Sequence, residues 1–159
     1  MRAAVLTVSD SSFSGERADQ TGPDVAARLR ELGWEVAHCG LVPDEREAIR
    51  AALEELAARA DLDAIFTAGG TGVAPRDVTP EATRAVIERE VPGLAELMRA
   101  EGLRHTRRAV LSRAVAGTRG SKLILNLPGS PRGAVESLDA VADLLPHVVE
   151  LLHGRAPAH

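Results

Sequence analysis

Apolar positions along the chain alternate between short runs and helical stripes. Val5–Val8 is a short apolar run closed by Ser9-Asp10 and predicts a buried strand. Residues 11–22 are polar, with Gly15 and Gly22, and predict a loop. Pro23 suits a first helical turn. Val25, Leu29 and Leu32 then share one helical face up to Gly33. Trp34–Val42 predicts a second strand, closed by Pro43. Asp44 is placed to cap the next helix, whose stripe is Ile49, Ala52, Leu53 and Leu56. Asp63–Ala68 predicts a third strand, followed by the glycine-rich turn Gly69-Gly70-Thr71-Gly72. Thr79, as a cap, with Pro80 and Glu81 opens a helix to about Glu90, and a further helix spans Leu94–Leu103.

The last third reads differently. Ala109–Ala116 and Leu123–Leu127 predict two strands joined by a turn at Gly117–Gly120, close enough to form a hairpin. Pro128-Gly129-Ser130-Pro131 predicts a loop entering a helix over Gly133–Leu152. Pro146 within it should kink or split that helix. Strands alternating with helices imply an α/β fold, with a mostly parallel sheet covered on both faces. The late hairpin adds one antiparallel strand. Ligands of such sheets sit beyond the carboxyl ends of the strands, where strand order reverses.

The chain has 159 residues, 45% of them hydrophobic, which suits one core and one domain over 1–159 and excludes a disordered chain. No apolar run approaches the length of a membrane span, and the start reads as a strand rather than a secretion signal. Cys39, the one cysteine, is expected in the core and can make no internal disulfide, so a cytoplasmic location is the default. His38, His105, His147, His153 and His159 show no metal-ligand spacing. A net charge of −4 disfavours nucleic acid as a partner. The basic run Arg104–Arg108 reads first as a solvated loop.

Four segments leaving strand ends carry the candidate chemistry: Ser9-Asp10, Pro43-Asp44-Glu45, Gly69–Asp77 and Asn126–Ser130. The glycine turn can bring backbone N–H groups close to an anion, or can serve the turn sterically. It is neither a Walker loop nor a dinucleotide fingerprint. Asp44 reads as a plain helix N-cap and Asp77 as an exposed partner of Arg76 or of a helix dipole, or the two read as a carboxylate pair holding Mg²⁺ on substrate phosphates. Ser130 with Pro131 reads as a capped helix start or an anion site. A phospho-acceptor domain is excluded, because Thr67-Ala68 ends the third strand where an aspartate would be needed.

In order and spacing, these segments resemble one family. The motifs are Thr7–Asp10, Val42–Glu45, Thr67–Gly72, Pro75–Thr83, Leu111–Gly117 and Leu125–Gly129. Together they resemble the molybdopterin adenylyltransferases of the MogA/MoaB type and the related G domain of gephyrin, over nearly the whole chain. The resemblance implies a three-layer α/β/α sandwich. It implies Mg²⁺-dependent transfer of AMP from ATP to the terminal phosphate of molybdopterin, releasing pyrophosphate, within molybdenum cofactor biosynthesis. Asp44 and Asp77 match the functional acids that position Mg²⁺. Gly69, Gly70, Thr71 and Gly72 match the phosphate loop. Ser9, Asp10, Ser112 and Asn126 match polar motif positions at the pterin and nucleotide site, and Pro128, Gly129 and Ser130 match a second loop. The resemblance also implies a homotrimer, a hexamer in some members, and hand-over to a molybdenum-insertion protein. Two rivals are a non-catalytic binding module and a nucleotide pyrophosphatase.

Overall fold

A computed structural model describes residues 1–155. The elements run β1 (Arg2–Val8), α1 (Asp10–Phe13), α2 (Thr21–Glu31), β2 (Glu35–Val42), α3 (Arg46–Ala58), β3 (Ala64–Ala68) and α4 (Thr79–Arg84). They continue with β4 (Arg89–Glu90), α5 (Pro92–Gly102), a 3-10 turn (Arg107–Leu111), β5 (Ala116–Arg119), β6 (Lys122–Leu127), α6 (Pro131–Asp139) and α7 (Leu145–Leu152). The six strands form one sheet in the order β2-β1-β3-β6-β5-β4. β1, β2, β3 and β6 are parallel, and β5 runs antiparallel to both of its neighbours.

The two-residue period of the central strands divides the core into two layers. Ala3, Val5, Ala64, Phe66, Leu123, Leu125 and Leu127 face the layer made with α2, α5, α6 and α7. Ala4, Leu6, Val8, Ile65 and Ile124 face the opposite layer, made with α3 and α4. This is the expected three-layer α/β/α sandwich. Trp34 closes the first layer, edge-on to Phe66 at a centroid distance of 5.8 Å. Among the described residues no helix is long and apolar enough to cross a membrane.

Several local expectations are corrected. The expected strand Ala109–Ala116 is instead the 3-10 turn and an extended lead-in to β5. Thr106 starts that turn by accepting from the Arg108 N–H, and Val110 and Leu111 remain exposed. The hairpin turns at Gly120-Ser121, with Gly120 at φ +56° between the paired Arg119 and Lys122. The expected helix to Glu90 stops at Arg84, and residues 88–91 instead cover the open edge of β5. α2 starts at Thr21, before Pro23, and the preceding loop contains α1, capped by Ser9. Pro146 splits the last expected helix into α6 and α7, standing in the first turn of α7. Cys39 is exposed rather than core, because β2 is an edge strand. His159 lies outside the described residues.

Candidate functional site

Strand order reverses around β1, which has β2 on one side and β3 on the other. The loops leaving β1, β2, β3 and β6 therefore gather at one sheet edge. Glycine lets them pack there. A Cβ at Gly69 would stand 2.1 Å from the Val8 carbonyl oxygen, and one at Gly129 would stand 3.4 Å from the Gly69 Cα. The Gly69 N–H donates to the Leu127 carbonyl (3.1 Å), and the Thr21 hydroxyl donates to the Gly129 carbonyl (2.7 Å).

Asp10 and Asp44 are locked together by reciprocal bonds. The Asp10 N–H donates to Asp44 Oδ2, and the Asp44 N–H donates to Asp10 Oδ1, both at 2.9 Å. Arg76 forms its ion pair with Asp10 rather than with the neighbouring Asp77. These bonds take Asp44 away from the expected capping role: Glu45 occupies the N-cap position of α3 and makes no side-chain cap. Asp44 Oδ1 accepts no hydrogen bond from the described residues, and it would lie 3.1 Å from a Cβ on Gly70. Asp77 uses one oxygen, Oδ2, to accept from the Ala74 N–H (2.8 Å), which leaves Oδ1 uncommitted in the same sense. Burial pushes the Asp44 carboxyl above its ordinary range. The nearby Asp10 and Asp77 carboxylates add to this, against the Asp10 N–H and Arg76.

Thr79, expected as a cap, occupies the first turn of α4, after Val78. Its hydroxyl donates instead to the Gly69 carbonyl (2.8 Å), and its N–H donates to the Gly70 carbonyl (3.1 Å). This closes the neck of the glycine loop. Gly69 and Gly70 take φ values of +116° and +65°, which non-glycine residues rarely adopt. The N–H groups of Gly70, Thr71 and Gly72 have no partner among the described residues and are available to an anion.

Two cavities flank this loop. A larger one of about 550 Å³ is lined by Thr71, Gly72 and Val73, by Met98 and Leu111, and by Ser112 and Pro128. A smaller, more polar one of about 420 Å³ is lined by Ser9, Ser12, Arg17, Gln20, Asp44 and Gly69. Gly70, Asp77, Gly129 and Ser130 line both, so the cavities meet there. Ser130 also caps α6, accepting from the Gly133 N–H (3.2 Å), which sets a helix N-terminus beside the junction.

Eleven of the thirteen residues singled out in the sequence line a cavity. Asp10 stands behind Asp44 and holds it. Asn126 lies apart. It is fully buried, with Nδ2 donating to the Thr67 and Thr83 hydroxyls (2.9 Å each) and Oδ1 accepting from the Val115 N–H (3.1 Å). Its side chain ties β6 to β3, α4 and the lead-in to β5, and it reaches neither cavity.

Arg113 escaped the sequence reading, although it stands inside one of the motifs. Its guanidinium donates to the Gly72 carbonyl (2.7 Å) and the Asp77 carbonyl (2.6 Å), and pairs with Glu81. The Arg113 bond holds the Glu81 carboxyl below its ordinary range. A lone arginine in a polar stretch carries no local signal of such a long-range contact.

Among the described residues no three His, Cys, Asp or Glu side chains group into a metal-binding set. The donors present nonetheless suit Mg²⁺, which takes one or two carboxylates and completes its shell with substrate phosphates and water. Asp44 and Asp77 each keep one hard oxygen uncommitted, and a cation would offset both the burial that chiefly raises Asp44 and the smaller repulsion from Asp10 and Asp77.

A family model described as "Probable molybdopterin binding domain" matches residues 4–147. A molybdopterin adenylyltransferase from Helicobacter pylori is 40% identical over 152 residues, covering 94% of this chain and 86% of that protein. The molybdenum cofactor synthesis protein cinnamon of Drosophila melanogaster is 42% identical over 149 residues, 93% of this chain, which spans only 25% of that longer protein. A crystal structure of the molybdopterin biosynthesis enzyme MoaB from Thermus thermophilus superposes with a TM-score of 0.90 at 57% identity, covering 96% of both chains. The chain belongs to the molybdopterin-binding domain family that these relatives share.

Proposed function

We propose that this chain is a molybdopterin adenylyltransferase of molybdenum cofactor biosynthesis. It joins AMP from ATP to the terminal phosphate of molybdopterin and releases pyrophosphate. One observation carries the reading: two cavities of different polarity meet at Gly70, Asp77, Gly129 and Ser130, with Asp44 in the wall of the smaller one. A two-substrate transfer needs two adjoining subsites with the reacting groups at their boundary.

An oxygen of the molybdopterin phosphate bonds to the α-phosphorus of ATP, and the bond from that phosphorus to pyrophosphate breaks. The nucleophile is already an ionised phosphate oxygen, so no covalent enzyme intermediate and no general base are required. The free N–H groups of Gly70–Gly72 bind phosphate oxygens and hold them in line. Asp44 and Asp77 would hold Mg²⁺, which would supply charge neutralisation to the substrate phosphates. Asp10 and Arg76 keep Asp44 in place.

The protein acts as one domain over residues 1–159, in the cytoplasm, as a homotrimer, and passes adenylylated molybdopterin to a molybdenum-insertion protein. Light scattering tests the assembly: a trimer has three times the 16.8 kDa chain mass. Omission experiments test the reaction. Pyrophosphate should appear only when protein, ATP, molybdopterin and Mg²⁺ are all present. Release without molybdopterin would favour the pyrophosphatase, and molybdopterin binding with no release would favour the binding module.

A further inference from the structure

We infer that Arg113 is a positioning residue that fixes the Asp77 carboxylate and the glycine-loop amides. The functional part of this inference rests on the adenylyl-transfer reading above. Residues 73–76 are exposed, and Val73 at the loop tip is 66% accessible, so apolar burial does not hold this segment. Such a segment belongs to the part of a protein that opens most easily. Asp77 stands at its far end.

The Arg113 guanidinium spans the loop at that point. It binds the carbonyls of Gly72 and Asp77, at the two ends of the exposed stretch, and it is oriented by Glu81 from α4. The Arg113 backbone N–H adds a bond to the Thr71 carbonyl (2.8 Å). With both ends gripped, the Ala74 N–H can meet Asp77 Oδ2, and Asp77 Oδ1 stays free. Arg113 lines neither cavity, so its effect on the reaction passes through the loop. Arg99 of α5, which lines the larger cavity, reaches the carbonyls of Ser112 and Ala114 on either side of Arg113 (3.4 Å each).

Only a planar fork can serve three acceptors in this arrangement. A lysine ammonium keeps the charge but not the geometry, which makes Arg113→Lys the informative change. A displacement of about 1 Å at a reacting group can cost about 100-fold in rate.

The test combines hydrogen exchange with kinetics on the full chain. In the Arg113→Lys protein, the hydrogen-bonded amides of Ala74, Asp77 and Thr79 should exchange about tenfold faster, while those of β6 stay as in the parent. Its kcat should fall about 100-fold and its Mg²⁺ requirement should rise, with little change in KM for molybdopterin. Free guanidinium ion should restore part of the activity of the Arg113→Ala protein. Unchanged exchange at Ala74, Asp77 and Thr79 would overturn the inference, as would faster exchange throughout the sheet. An inactive parent protein with the expected loop-limited exchange would leave the clamp standing and refute the adenylyl-transfer reading.

Discussion

Asn126 allows the sharpest separation of a structural from a catalytic role. The Asn126→Ala change removes three buried hydrogen bonds, to Thr67, Thr83 and Val115. The two bonds to hydroxyls contribute about 1 kcal/mol each, because Thr67 and Thr83 keep their own O–H donors. The Val115 N–H loses its acceptor in a dry core, which costs about 1–3 kcal/mol. The sum is roughly 3–5 kcal/mol, a large share of the stability of a domain this size. For a chain of this length each kcal/mol moves Tm by about 2–4 °C, so a fall of about 6–20 °C is expected. Circular dichroism melts measure it, and adenylyl transfer is assayed well below the new Tm. The folded fraction should retain most of its activity, because Asn126 reaches neither cavity. A Tm within about 2 °C of the parent, with activity lost, would refute this reasoning and return Asn126 to the site.

Two further changes probe the loop and the acids. In Gly70→Ala, the new Cβ would stand 2.4 Å from Thr79 Oγ1 at φ +65°, so the neck of the loop must open. Backbone strain alone costs about 1–2 kcal/mol, and both a lower Tm and a large loss of transfer are expected; parent-like kinetics would contradict the loop's role. Burial and the neighbouring Asp10 and Asp77 raise the Asp44 carboxyl in the folded state, so its ionised form costs stability at neutral pH. That cost fades as pH falls through the raised value. Asp44→Asn should therefore be at least as stable as the parent at neutral pH, with any advantage shrinking on acidification, and should lose transfer. A neutral-pH Tm below the parent's would show the sign to be wrong.

The fold was legible where pattern and physics coincide. The buried strands β1, β3 and β6 show as short apolar runs, and the stripes of α2 and α3 show at helical spacing. Convergence of four strand-end loops follows from parallel order alone. Illegible were the features decided by distant partners. The segment 109–116 has strand-like composition, but the bonds of Arg113 to the loop and of Arg99 to its carbonyls hold its latter part elsewhere. Asp44 and Thr79 have the composition of caps, yet their side chains bond to Asp10 and Gly69 across the sheet edge. Cys39 sits in an apolar-looking strand whose exposure depends on its edge position, which no local pattern states. Asn126 matches a motif, but the motif cannot tell a buried clamp from a cavity wall.

The most direct test of the central claim is product analysis with one conservative variant. The protein and its Asp77→Asn form are each mixed with molybdopterin, ATP and Mg²⁺, and products are read by mass spectrometry. Adenylylated molybdopterin and pyrophosphate in equal amounts from the parent, with neither from a normally folded Asp77→Asn protein, are the expected result. Equal product from both proteins would remove Asp77 from the chemistry, and no product from the parent would contradict adenylyl transfer itself.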